Sequence, residues 1–196
     1  VPMGRIIAGR ARGHRVAAPS HARTRPTSDL VRESAFNLIA DWAGPVGEAA
    51  DHMLDRFSFL DLYGGTGAVG LEAASRGAGP VVCVEKDRST AALARENATA
   101  TGLDVQVVAS SVDAYLAGAP QVFDVVWFDP PYDLPTAVVD AQVAVVVDRW
   151  LAPDGLVVVE RATRDTPPSW PDSLTDQRTR RYGETTLYLA SKEDDQ

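Results

Sequence analysis

At 196 residues, 45% apolar and 23% charged, the chain can bury a sizeable core and is too apolar for a disordered polymer. No apolar stretch approaches the roughly 18 uninterrupted residues of a membrane helix, and Arg5, Arg10 and Arg12 interrupt the segment where a signal-peptide core would stand. The net charge of −8 excludes a uniformly basic nucleic-acid binder, while the single cysteine, Cys83, permits no internal disulfide and is expected to be a buried structural thiol of a cytoplasmic chain.

In chain order, residues 5–8 and 14–18 are expected to form a short hairpin across the intervening glycines. A helix follows from Ser28 to Trp42, with Ser28 as its cap and Val31, Ala35, Leu38 and Ile39 recurring at helical spacing toward the core, which leaves Arg32 and Glu33 on its surface. Residues 44–56 read as a linker with room for a short helix. Strands are then expected over 57–62, 81–85, 104–108, 122–128 and 155–160, separated by helices over 67–76, 88–101, 111–117 and 135–150. The last pair, 175–182 and 185–190 joined at Gly183-Glu184, reads as an antiparallel hairpin, and 192–196 as a frayed polar tail. Such alternation builds an α/β fold with a mostly parallel sheet covered on both faces and ligands at the carboxyl ends of the strands. Residues 1–43 are taken as a basic hairpin-and-helix extension and 44–196 as the core of the same domain.

Two motifs fall at such strand ends. Val122 to Phe128 is an apolar run that ends in Asp129-Pro130-Pro131-Tyr132. The prolines fix φ and donate no N–H, so this turn offers carbonyl oxygens beside a carboxylate and an aromatic ring. An amino group on a flat ring suits it. An exocyclic amine is a poor nucleophile because its lone pair is delocalised, and acceptors that hold both N–H bonds aim that pair at an electrophile, while Tyr132 stacks on the ring for about 1–3 kcal/mol. The bland alternative is a proline-rich turn in which Asp129 only caps the next segment.

Upstream, residues 57–62 lead into Tyr63-Gly64-Gly65-Thr66-Gly67, a tight loop before a helix, where glycines admit a ligand close to the backbone. Glu85 ends the next apolar run, with Lys86 beside it, and is placed to accept from both hydroxyls of a ribose. Gly65 to Gly70 also satisfies the glycine pattern of dinucleotide folds, so a nicotinamide cofactor is a rival. Asp61 before the loop suits an ammonium better than a pyrophosphate, and the Asp-Pro-Pro-Tyr turn has no hydride-transfer role. One ligand, S-adenosylmethionine, carries an ammonium, a carboxylate, a ribose and a methyl donor, and so accounts for both motifs. No His/Cys grouping suits a metal.

With these motifs, Arg5 to Gly9, the segment Thr24 to Glu33, Leu60 to Gly67, Val84-Glu85 and Phe128 to Tyr132, the chain resembles the class I S-adenosylmethionine-dependent methyltransferases. More closely it is similar to the bacterial small-subunit (16S) ribosomal RNA guanine-N2 methyltransferases of the RsmD type, along nearly its whole length. The resemblance implies a Rossmann-like, mostly parallel seven-stranded sheet with a C-terminal antiparallel hairpin, and methyl transfer to N2 of a guanine in 16S ribosomal RNA. It assigns catalysis to Asp129, Pro130, Pro131 and Tyr132. Cofactor contacts fall on Asp61, Tyr63, Gly64, Gly65, Thr66, Gly67, Glu85, Lys86 and Asp129, and on Ser111 or Val112 for the adenine. Where the family often has Asn or Asp at the adenine, this chain has Ser111, with Asp113 two residues on as a substitute.

Charge distribution agrees with an RNA partner despite the acidic total. Arg5, Arg10, Arg12, Arg15, Arg23, Arg25 and Arg32 face only Asp29 and Glu33 in the first 36 residues, and a local surplus is what phosphates meet over a screening length of about 8–10 Å. These arginines and Thr27 are the expected RNA contacts; Arg178, Arg180 and Arg181 form a second basic cluster. The RNA could be free or held in the 30S subunit or an assembly intermediate, and a monomer is expected. Alternatives are an N-methyltransferase acting on DNA adenine or a protein glutamine amide, and a non-catalytic RNA-binding module.

Overall fold

The computed structural model describes residues 4–19, 28–44 and 49–192. Among the described residues the elements are β1 (Gly4–Arg5), β2 (Arg15–Val16), α1 (Asp29–Ala43), β3 (Phe59–Leu62), α2 (Ala68–Ser75), β4 (Val81–Glu85), α3 (Arg88–Thr101), β5 (Gln106–Ala109), α4 (Val112–Leu116), β6 (Phe123–Phe128), α5 (Thr136–Arg149), β8 (Asp176–Tyr182) and β9 (Thr185–Ser191), the hairpin strands β1 and β2 being shorter than the expected 5–8 and 14–18. A further strand, β7 (Leu151–Ala162), is longer than the expected 155–160. Its first residue already pairs with Phe123, across an irregularity at Asp124, despite the turn-forming Pro153-Asp154-Gly155.

The large sheet runs β5-β4-β3-β6-β7-β9-β8, parallel through β7 and antiparallel at β9 and β8. Strand order reverses between β3 and β6, so the crevice of this α/β sheet opens at their carboxyl ends. Alternating side chains divide the core between the two faces. Phe59, Val81, Val125, Trp127, Val158 and Leu187 face one cluster, which Leu71 and Ala73 of α2 and Ile39 of α1 complete. Leu60, Leu62, Val126, Phe128 and Val157 face the other, under Val112 of α4 and Val139, Val143 and Val146 of α5.

Helix α1 starts where Ser28 accepts from the Val31 N–H at 3.3 Å, and it buries Val31, Ala35, Phe36 and Ile39, with Leu38 partly covered. Arg32 departs from expectation: it is buried with them at 1% exposure. The cause lies in α2, where Glu72 is fully buried. Its Oε1 accepts from Arg76 Nε at 2.8 Å and its Oε2 lies 3.6 Å from Arg32 Nε. Arg32 also donates to Asp29 and to the Arg5 carbonyl. Paired in this way behind the hairpin, Arg32 leaves the set of RNA contacts.

The same glutamate ties down the N-terminal segment, since Ile7 and Ala8 N–H donate to it at 2.8 and 3.0 Å. Ser75 adds three bonds, accepting from Ala11 N–H and Arg10 N–H and donating to the Ala8 carbonyl. A Cβ on Gly9, at φ 82°, would overlap the Ser75 carbonyl, so the close approach requires glycine there. Consequently Ile6, Ala11 and Val16 share one hydrophobic cluster with the sheet, while Arg5, Arg10, Arg12 and Arg15 project into solvent. Arg23, Arg25 and Thr27 lie outside the described residues.

Of the expected linker, residues 50–56 form turns rather than a helix. Leu54 is fully buried and its N–H donates to the Arg76 carbonyl at 2.8 Å, so this stretch closes the C-terminal end of α2. Among the described residues no helix is long and apolar enough to cross a membrane, and no cluster of three ligating side chains could hold a metal.

Candidate active site

Parallel register brings the two motifs to neighbouring strand ends. Leu62 of β3 is level with Phe128 of β6 on one side and Val84 of β4 on the other. Backbone bonds continue beyond the last paired residues: Asp129 N–H donates to the Leu62 carbonyl at 3.2 Å, Gly64 N–H to Val84 at 2.9 Å, and Ser110 N–H to Glu85 at 3.0 Å. Asp129, the glycine loop and Glu85 therefore stand in one row along the carboxyl edge of the sheet.

The loop is held from below and from the side. Tyr63 takes φ 62°, uncommon for a side chain with a Cβ, and its hydroxyl donates to Gln142 Oε1 at 2.7 Å. Gln142 in turn donates to Asp113 Oδ1 at 2.7 Å, linking β3, α5 and α4. Gly64 is confined by contact: a Cβ there would run into Sγ of the fully buried Cys83 and come 3.1 Å from Asp61 Oδ2. Neither neighbour has room to retreat. Gly64→Ala is expected to destabilise the fold by about 1–3 kcal/mol, as overpacking does, measured by urea denaturation.

Asp61 lies at 1% exposure and accepts from Gly70 N–H at 3.0 Å. Burial pushes its carboxyl up to about 7, with the Gly70 bond opposing and Glu85 and Glu160 adding repulsion. A carboxyl held there ionises readily once a cation is set beside it. Glu85 is half-buried and uses both oxygens on backbone, Oε2 on Gly65 N–H at 3.0 Å and Oε1 on Asp87 N–H at 2.8 Å. A carboxylate has about four acceptor positions, so two bonds leave capacity for a diol. Lys86 next to it is exposed.

At the third strand end, Ser111 accepts from Ala114 N–H at 3.2 Å and so caps α4. Val112 is 4% exposed and packs into the core. Asp113 has one oxygen committed to Gln142.

Across the crevice, Pro130 is buried and Tyr132 is 46% exposed. Two further residues hold this rim that spacing alone did not point to. Arg161, 4% exposed near the end of β7, donates to the Pro131 carbonyl at 3.3 Å and to Leu134 at 2.9 Å, with Asp165 at 3.2 Å balancing its charge. Asn97 of α3 bonds both the Ala17 backbone and the Thr66 carbonyl at 3.0–3.1 Å, joining the basic N-terminal segment to the glycine loop. An arginine ending a strand and an asparagine inside a helix are ordinary surface patterns; only the tertiary partners give them these roles.

A row of two acidic groups, a glycine turn and an acceptor-rich proline tip at the switch point fits a ligand with a cationic end and a ribose, set beside a planar amine. The chain is 31% identical over 96% of its length, and 90% of the other, to ribosomal RNA small subunit methyltransferase D of Escherichia coli (strain K12). It is 32% identical to the protein of the same name from Haemophilus influenzae, over 87% of this chain and 84% of that one. The solved structure of the methyltransferase candidate yhhF from Escherichia coli superposes with a TM-score of 0.82 at 28% identity, covering 98% of this chain and 99% of that chain. Because one family's model also matches residues 4–191, the chain belongs to the family described as Conserved hypothetical protein 95, that of the RsmD-type methyltransferases.

Proposed function

We propose that the protein transfers a methyl group from S-adenosylmethionine to the exocyclic N2 of a guanine in 16S ribosomal RNA. The observation that carries this reading is the bond from Asp129 N–H to the Leu62 carbonyl, which sets the amine-binding tip beside the glycine loop. The curated relatives supply the substrate class through their names. The residues present suit the cofactor: Asp61, the 64–67 loop and Tyr63 would take its methionine end, Glu85 with Lys86 its ribose, and Ser111 with the Val112 backbone its adenine.

When bound, S-adenosylmethionine supplies an electrophilic methyl carbon on a sulfonium. The chain supplies position. The Asp129 carboxylate and the Pro130 carbonyl accept from the guanine amine, Tyr132 lies against the ring, and the nitrogen lone pair is thereby turned toward the crevice. The target guanine leaves its stack first, at a cost of a few kcal/mol that is smaller in a loop than in a helix. Arg161 fixes the Pro131 and Leu134 carbonyls and so holds the turn that follows the two acceptors. Ribosomal RNA as substrate goes with a cytoplasmic location.

Incubation with labelled S-adenosylmethionine and either naked 16S ribosomal RNA or 30S particles, followed by mapping of the label, tests the reaction and separates the two substrate states. Label on DNA adenine or on protein alone would replace this reading. Glu85→Ala is expected to weaken S-adenosylhomocysteine binding about ten- to a hundredfold, the size of hydrogen bonds to a charged acceptor. Calorimetry measures it, and unchanged affinity removes Glu85 from the site.

A further inference from the structure

Beside the proline tip lies a cavity of about 420 Å³ that neither motif lines by itself. Tyr132 forms one wall, and the end of β7 with the β8–β9 turn forms the other, contributing Thr163, Arg164, Arg181 and Glu184. This size is within the range of small-ligand sites. Antiparallel pairing of β7 with β9 puts the Gly183-Glu184 turn at the same edge of the sheet as Asp129.

The wall is stitched together before any ligand arrives. Thr163 N–H donates to the Glu184 carbonyl at 2.8 Å, while its hydroxyl bonds Gly183 at 3.0 Å and Thr186 at 2.9 Å. Arg181 Nε donates to the Gly183 carbonyl at 3.3 Å, leaving its other donors outward. Arg164 is exposed and has neither hydrogen bond nor ion pair among the described residues. The neighbouring Asp165 is engaged with the buried Arg161 instead. The basic cluster seen in the sequence thus divides: Arg178 is paired with Asp41 and Asp176 on the α1 side, and only Arg181 reaches the cavity.

We infer that Arg164 and Arg181 bind the RNA phosphates next to the target nucleotide, so that the C-terminal hairpin grips the strand whose base lies on Tyr132. This rests on the RNA reading above. Two guanidiniums against the one carboxylate of Glu184 leave the pocket cationic in a chain whose net charge is −8. An exposed aromatic ring, the Arg164 guanidinium and the remaining donors of Arg181 in one cavity match the two halves of a nucleotide, a flat base and an anionic phosphate.

The test is binding of 16S ribosomal RNA across a salt series, wild type against Arg164→Ala/Arg181→Ala. Both side chains are exposed, and retained S-adenosylhomocysteine affinity verifies the folded state. Loss of two phosphate contacts should lower the slope of log affinity against log salt by about 1.4, at roughly 0.7 per single-stranded contact, and weaken low-salt binding about tenfold or more. Arg164→Lys/Arg181→Lys should restore most of the slope. An unchanged slope and KM in the alanine variant overturn the inference. A wild-type protein that methylates no ribosomal RNA overturns the proposed reaction instead, and the salt slope still decides the phosphate contacts.

Discussion

Asp129→Ala is expected to lower methyl transfer by about 10²–10³-fold while S-adenosylhomocysteine binds as in the wild type, because the side chain is proposed to hold the reacting amine and not the fold. The local backbone has anchors besides the carboxylate. Asp129 is tied to β3 through its own N–H, and the following turn is pinned by Arg161 at Pro131 and Leu134, so alanine leaves both anchors in place. What disappears is an acceptor for the amine N–H, and with it the orientation of the lone pair. Asp129→Asn keeps one carbonyl acceptor and should fall between the two. Single-turnover methylation of 16S ribosomal RNA with saturating cofactor separates this chemical step from binding. A rate near wild type in the alanine variant would return the tetrapeptide to the status of a structural turn.

The proline tip and the glycine loop were legible because each is local. Turn chemistry, strand-ending runs and helix caps involve residues within a few positions of one another, so β4 and α3 match their expected spans of 81–85 and 88–101. Adjacency of the two motifs also follows from alternation, which forces a parallel sheet with a switch point. Side chains whose partners come from distant elements were not legible. Arg32 reads as a surface residue until Glu72, 40 positions away, is placed against it, and Gln142, Asn97 and Arg161 look like ordinary polar residues until Tyr63, Thr66 and Pro131 approach them. Strand β7 was underestimated for a related reason: Pro153-Asp154-Gly155 signals a turn, yet pairing with β6 begins before it at Leu151.

That dependence on distant partners makes Glu72 the position where substitution should cost the most stability. Its carboxylate faces Arg32 and Arg76, both at most 2% exposed, and accepts from the backbone of Ile7 and Ala8. Glu72→Ala would strand the buried Arg76 guanidinium and two N–H groups at once, and would leave Arg32 with Asp29 and the Arg5 carbonyl as its remaining partners. Breaking a buried ion pair by removing one partner costs about 3–5 kcal/mol. At roughly 2–4 °C per kcal/mol for a chain of this size, the melting temperature should fall by about 10 °C. Arg76 retains its stack on Phe36, 4.9 Å from the ring centroid, so part of its packing survives the loss. Arg76→Met removes that stranded charge, and combined with Glu72→Ala it should destabilise by less than the sum of the two single changes. Additive effects, or a melting point within a degree or two of wild type for Glu72→Ala, would mean that the N-terminal segment is held by Ser75 and its apolar contacts alone.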